Sequence, residues 1–320
     1  MDILLSTDRN YIMPTGVTMK SICNNNVDVT FHVLIDRGVS EHQKHQLENV
    51  LDKNKKQKLL FYCVDSHFLE HFPSLGKVKS YITKATYYRL FVDEFLPNNV
   101  KKIIYLDGDI IVLKSLEGLW NMDISDYAVG AVTDMAEDIH DFNRLGYDKE
   151  FGYFNAGVLL INIDYWRKHN LRKNFMDLIL NDSQRIVLHD QDVLNITLYN
   201  QKINLPMKYN VQNGFLWKEE YNQFGNQFEI YKNDLKNAIL NPIILHFTDN
   251  KKPWHTEDCN PLGYLWYKYF KQTEWKYVPL GHCNKSKVRY WGAKILRRLG
   301  MLKPAVTDEK KYLSLTELTY

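Results

Sequence analysis

Residues 103–113 read Ile-Ile-Tyr-Leu-Asp-Gly-Asp-Ile-Ile-Val-Leu, placing two carboxylates, Asp107 and Asp109, at the end of an apolar run. On an extended chain, side chains at i and i+2 project to the same side, roughly 6.5–7 Å apart by the strand rise. Two carboxylates so placed can converge on one divalent cation, and carboxylate oxygens suit Mg²⁺, Mn²⁺ or Ca²⁺. Such a cation would neutralise a phosphorylated ligand. The same tripeptide also reads as a hairpin signal, because Asp-Gly between apolar runs suits a type I′ turn. Its neighbours must decide between metal site and turn.

Continuous apolar runs at Ile3–Thr7, Val29–Ile35, Leu59–Val64 and Lys102–Leu106 read as strands, apolar on both faces. Tyr11–Asn24 and Ser40–Lys53 read as helices, the second opening with Ser40 and carrying Gln43 three residues on, a capping box. Apolar strands separated by helices predict an α/β fold, a mostly parallel sheet covered on both faces. In such sheets polar ligands gather beyond the carboxyl ends of the strands. Asp8, Asp36 and the Asp107–Asp109 pair all follow strands in this way. Further on, Tyr127–Thr133, Phe154–Ile163 and Ile243–Phe247 are strand candidates, and Asp164–Leu180 and Asp190–Asn200 are helices. Residues 212–238 show weak periodicity and are assigned loosely.

The absence of G-x-G-x-x-G after the first strand argues against a dinucleotide-binding Rossmann enzyme, and the absence of G-x-x-x-x-G-K-[ST] argues against a P-loop. A nucleotide would therefore be held by side chains and a metal. A net charge of +3 over 320 residues supplies no global field for nucleic acid. Cys23, Cys63, Cys259 and Cys283 lie far apart and form no C-x-x-C pair, which fits a reducing compartment. No signal peptide is visible and no run of 18 apolar residues occurs, so a cytoplasmic location is expected.

Asp107-Gly108-Asp109 is one of an ordered set. Asp8-Arg9-Asn10-Tyr11 and Ala85-Thr86-Tyr87-Tyr88-Arg89-Leu90 precede it; Phe154-Asn155-Ala156-Gly157-Val158, His189-Asp190-Gln191-Asp192 and His246-Phe247-x₄-Lys252-Pro253-Trp254 follow. From residue 1 to about 255 this set resembles glycosyltransferase family 8, nearest its bacterial lipooligosaccharide and lipopolysaccharide galactosyl- and glucosyltransferase branch and related to glycogenin. The resemblance implies a single GT-A type, Rossmann-like domain over residues 1–281. It also implies transfer of glucose or galactose from a UDP-sugar to a glycan hydroxyl, with retention and with Mn²⁺ as cofactor, Mg²⁺ being the alternative. By resemblance Asp107, Asp109 and His246 hold the metal, and Asp8, Asn10 and Tyr11 bind uridine. Arg89, Gly108, Asn155 and Lys252 contact the donor, while Asp134, Asp190 and Gln191 surround the sugar.

Chemistry agrees with several of these roles. An imidazole in the ligand set favours Mn²⁺ over Mg²⁺. A neutral amide such as Gln191 is a poor nucleophile, which argues against double displacement and for same-face attack. The bland alternatives are a strand-end histidine, a solvated lysine, a helix-surface arginine in a local ion pair, and Asp or Asn caps at 8–10 and 134. Two departures stand out: Asp249 where the family usually has glycine, and Ser6-Thr7 where small apolar residues are common. Asp249 keeps open a non-catalytic sugar-nucleotide or glycan-binding protein, and a metal-dependent nucleotide-sugar hydrolase shares the donor site.

Residues 282–306 contain Lys285, Lys287, Arg289, Lys294, Arg297, Arg298 and Lys303 without an acidic residue. Val288, Trp291, Ile295, Leu299 and Leu302 recur at helical spacing on one face. The tail 282–320 therefore reads either as a docked basic helix or as an interfacial helix on anionic lipid at the inner face of the cytoplasmic membrane.

Overall fold

The computed structural model describes residues 1–65, 84–134, 140–213, 231, 234–248, 250, 252–255, 260 and 262–279. Seven strands build its central sheet: β1 (Asp2–Thr7), β2 (Thr30–Ile35), β3 (Lys58–Cys63), β4 (Lys102–Leu106), β6 (Val129–Thr133), β7 (Phe154–Asn162) and β8 (Lys202–Asn204). Their order across the sheet is β3-β2-β1-β4-β7-β6-β8. Strands β5 (Ile110–Val112), β9 (Val211–Gln212) and β10 (Ile244–His246) form a second sheet in the order β5-β10-β9. In the large sheet β7 alone runs against its neighbours β4 and β6; the remaining pairs are parallel.

The two faces of the sheet follow the period-2 rule for strands. Ile3, Leu5, Phe31, Val33, Ile104, Leu106, Val158 and Leu160 point into one core, shared with helices Ile12–Asn25 and Gly263–Phe270. Leu4, Leu34, Ile103, Tyr105, Leu159 and Ile161 point into the other, under helices Leu171–Asn181 and His189–Leu198. The expected α/β architecture with a mostly parallel sheet is thus present.

Local chemistry explains the element ends. Ser40 caps helix Glu41–Glu48 through the expected box, the Gln43 N–H donating to Ser40 Oγ and Ser40 N–H to Gln43 Oε1. The helix stops at Glu48, short of the expected Lys53. The single helix expected over Asp164–Leu180 is two, Ile163–Lys168 and Leu171–Asn181, because Asn170 turns left-handed at φ 50°. β3, at the edge of the sheet, alternates exposed and partly buried residues, so its apolar run is not buried on both faces. The short strands β5, β8 and β9 and helix Gly263–Phe270 carry too little periodicity to be read beforehand. Asp107–Asp109 does not form a hairpin: β4 belongs to the large sheet and β5 to the small one, so the tripeptide is a crossing between sheets.

No helix among the described residues is long and apolar enough to cross a membrane. The basic tail 282–320, its boundary at 281, most of the loosely assigned stretch 212–238, and Asp249 lie outside the described residues.

Candidate active site

The crossing is pinned from both sides. Asp107 N–H donates to the Gly157 carbonyl on β7 (2.9 Å), and Phe247 N–H donates to the Asp109 carbonyl (3.0 Å). The Thr18 hydroxyl on the first helix lies between the carbonyls of Gly108 (2.9 Å) and Ile110 (2.7 Å) and shares its one proton with them. His246 ends β10 and pairs with Ile110, so register alone sets it beside Asp109.

The result is a three-residue donor cluster. Ligand atoms of Asp107, Asp109 and His246 lie within 4.8 Å of one another. His246 Nε2 is 3.3 Å from Asp109 Oδ1 and 4.0 Å from Asp107 Oδ2. Two observations fit this set to a divalent cation. Asp109 Oδ1 is buried and makes no well-formed hydrogen bond, with His246 Nε2 facing it at 3.3 Å, as two ligands of one cation would. Gly157 leaves the space beneath the cluster open, since a Cβ there would sit 2.2 Å from His246 Cε1 and 2.8 Å from Asp107 Oδ2. Gly108 is confined less tightly, a Cβ there meeting Thr15 Oγ1 at 2.8 Å and Tyr11 Cδ1 at 3.0 Å.

Charges around the cluster are strongly coupled. Lys252 Nζ donates to Asp109 Oδ2 (2.7 Å) and to the Phe247 carbonyl (2.6 Å). Burial alone would raise the Asp109 pKa, but Lys252 and His246 outweigh it and hold the carboxyl well below the usual range. Arg89, buried, donates to Asp107 Oδ1 (2.7 Å), pairs with Asp190 Oδ2 (3.0 Å) and lies over the Tyr105 ring. Burial opposes its charge, yet Asp107 and Asp190 keep it firmly protonated. Tyr105 Oη also donates to Asp107 Oδ1 (2.6 Å), leaving Asp107 Oδ2 for the cluster. Asp190 is pushed up to about 6 by burial, against the pull of Arg89 and with help from Asp107.

Beyond Arg89 the side chains are amides and a carboxylate. Gln191 accepts from the Ala156 N–H (2.9 Å) and donates to Asp134 Oδ2 (3.2 Å). Asn155 donates to the same oxygen (3.0 Å). At the end of β1, Asp8 Oδ1 accepts from the Asn10 N–H (2.8 Å), so the turn-capping reading of Asp8 holds. The Tyr11 ring meets Trp254 edge-on at 5.5 Å. Every expected site residue is therefore among the described ones, and Arg89, Asp107, Asp109, Asp134, Asn155, Asp190, Gln191, His246 and Lys252 form one connected patch.

Sequence reasoning missed Tyr105, Gly157 and Asn210 as members of this patch. Gly157 lies within the Phe154–Val158 motif, two residues after Asn155. Tyr105 sits two residues before Asp107 on β4 and so faces the same side. Asn210, wholly buried, contacts His246 and Asn155, and nothing in its local sequence marks it.

A family model described as glycosyl transferase family 8 matches residues 2–258. General stress protein A of Bacillus subtilis (strain 168) is 30% identical over 296 residues, 87% of this chain and 96% of that protein. Lipopolysaccharide 1,3-galactosyltransferase of Salmonella typhimurium (strain LT2) is 28% identical over 295 residues, 88% of this chain and 80% of that one. Among solved structures, the galactosyltransferase LgtC in complex with donor and acceptor sugar analogs superposes with a TM-score of 0.76 at 25% identity, covering 86% of this chain and 96% of that chain. The mostly parallel sheet, the carboxylate–histidine cluster beyond its strands and the match over residues 2–258 agree: this chain belongs to glycosyl transferase family 8.

Proposed function

We propose that this glycosyltransferase moves glucose or galactose from a UDP-sugar to a hydroxyl of a lipid-borne cell-envelope glycan, with retention of anomeric configuration. The observation that carries the reading is the Asp107–Asp109–His246 cluster with one buried, unpartnered oxygen. Asp107, Asp109 and His246 would hold Mn²⁺, which supplies positive charge to the diphosphate as it leaves.

The remaining residues have defined tasks. Lys252 brings a fixed ammonium to the same end of the site, where leaving-group charge develops. Arg89 holds Asp107 and Asp190 apart as a single rigid ion-paired unit. Both ends of the Gln191 amide are hydrogen-bonded, so it offers no nucleophile and favours attack by the acceptor on the face that UDP leaves. The acceptor proton then passes to the departing phosphate oxygen. Asp134, held through Oδ2 by two amides, orients sugar hydroxyls. Asp8, Asn10 and Tyr11 take the uridine. Residues 282–320 attach the enzyme to anionic lipid, near such an acceptor. The name of the Salmonella relative supports a lipopolysaccharide acceptor.

The deciding experiment incubates the protein with UDP-glucose or UDP-galactose and a lipopolysaccharide core acceptor, with Mn²⁺, Mg²⁺ or chelator. Metal-dependent UDP release that requires acceptor, with an α-linked product by NMR, is expected. Release without acceptor would make it a hydrolase, and binding of donor without release would make it a binding protein.

A further inference from the structure

We infer that Asn210 is a positioning residue that fixes the His246 tautomer and ties the cation site to the amides around the sugar. The inference rests on the proposed cation at His246 and concerns a residue outside that ligand set.

The backbone N–H of Gly157 is a donor whose direction is not adjustable. It donates to Asn155 Oδ1 (3.0 Å), so that atom is the amide oxygen. Asn155 Nδ2 then donates to Asp134 Oδ2 (3.0 Å), an acceptor, so the orientation agrees at both ends. Asn210 Nδ2 donates to the same Asn155 oxygen (2.9 Å). The Asn210 oxygen is left facing His246 Nδ1 at 3.0 Å and can only accept. In the neutral ring Nδ1 therefore carries the proton, and Nε2 presents its lone pair toward Asp109 and Asp107.

In the neutral ring this arrangement keeps Nε2 from acting as a donor. With the opposite tautomer, Nε2–H would donate to Asp109 Oδ1, 3.3 Å away, and remove its orphan status. Flipping the Asn210 amide to permit that would set two oxygens face to face across the contact with Asn155, whose own orientation Gly157 and Asp134 lock. The direction of the Nε2 lone pair in the neutral, metal-binding ring is thus set by a chain that begins on the β7 backbone. Outer partners of this kind orient metal-bound histidines and raise their affinity.

The test compares wild type, Asp109→Asn, Asn210→Ala and Asn210→Asp. Free Mn²⁺ is measured by electron paramagnetic resonance without donor, and the tautomer by proton–nitrogen spectra of ¹⁵N-histidine protein. Asn210→Ala should lose the Nδ1–H signature and weaken Mn²⁺ about 10–100-fold. Asn210→Asp keeps an acceptor for Nδ1–H but cannot donate to Asn155, so Mn²⁺ affinity should persist while kcat falls. Wild-type tautomer and Mn²⁺ affinity in Asn210→Ala, with binding lost in Asp109→Asn, overturns the inference and leaves the cation site standing. Equal binding by wild type and Asp109→Asn overturns the cation site itself. Should Asn210→Ala not fold, Asn210→Asp decides, since unchanged kcat there refutes the link to the sugar side.

Discussion

Lys252 Nζ lies 2.7 Å from Asp109 Oδ2, so one oxygen of this carboxylate is already neutralised by the protein while the other, Oδ1, has no hydrogen-bond partner. The pair is buried, and removing one member of a buried pair costs about 3–5 kcal/mol. Metal-free Lys252→Met should therefore unfold at clearly lower urea concentration than wild type. Saturating Mn²⁺ should restore most of that loss, because the metal replaces the missing charge. Turnover should stay about 10²-fold low even when metal is saturating, as for loss of one group that stabilises developing charge. Equal urea midpoints without metal would contradict the pairing.

Gly157→Ala tests the floor of the cluster. Its Cβ would overlap His246 and crowd Asp107, and neither can retreat from its hydrogen-bonded position. Overpacking of this kind costs about 1–3 kcal/mol. Mn²⁺ binding is expected to disappear while circular dichroism stays native. Retained binding would show that the ring shifts freely.

Asp190 predicts a pH signature. Its folded pKa of about 6 lies above the ordinary 3.8, so between these values the folded protein binds more protons than the unfolded chain. The stability Asp190 contributes is complete below pH about 4 and is lost as pH rises through 6, at roughly 1.4 kcal/mol for each pH step of one between the two values. In metal-free protein, urea unfolding from pH 4 to 8 should show this decline in wild type and not in Asp190→Asn. Parallel curves would exclude it.

If the basic tail is the proposed anchor, removing residues 282–320 should abolish sedimentation with phosphatidylglycerol vesicles and leave turnover of soluble acceptors within about twofold. Undiminished sedimentation would rule out this tail as the anchor.

Chemistry that depends on adjacent residues was readable in the chain. The Ser40–Gln43 box and the strand ending at Leu106 follow from such local patterns, while Asp107 and Asp109 converge across a turn at Gly108–Asp109 rather than along the extended chain their spacing suggested. Relationships set by pairing were not. A run whose middle is apolar throughout, such as Val158–Ile161 in β7, does not state its direction, so the reversal of β7 was invisible. The hairpin alternative for Asp107–Asp109 fell only when β4 and β5 proved to lie in different sheets. Asn210 was unreadable for the same reason, because its partners stand 36 and 55 residues away. The break at Asn170 depended on one left-handed residue within a run whose apolar spacing continues across it.

The reversed strand has a dynamic consequence. Because β7 lies between β4 and β6, its amides are paired on both edges, and its amino end supplies Asn155, Ala156 and Gly157 to the patch. Amides of Leu159–Ile161 should be among the slowest in the molecule to exchange with deuterium, opening only with the whole fold. The patch is then anchored in the last part of the protein to melt. Heat should extinguish turnover together with the global transition rather than ahead of it.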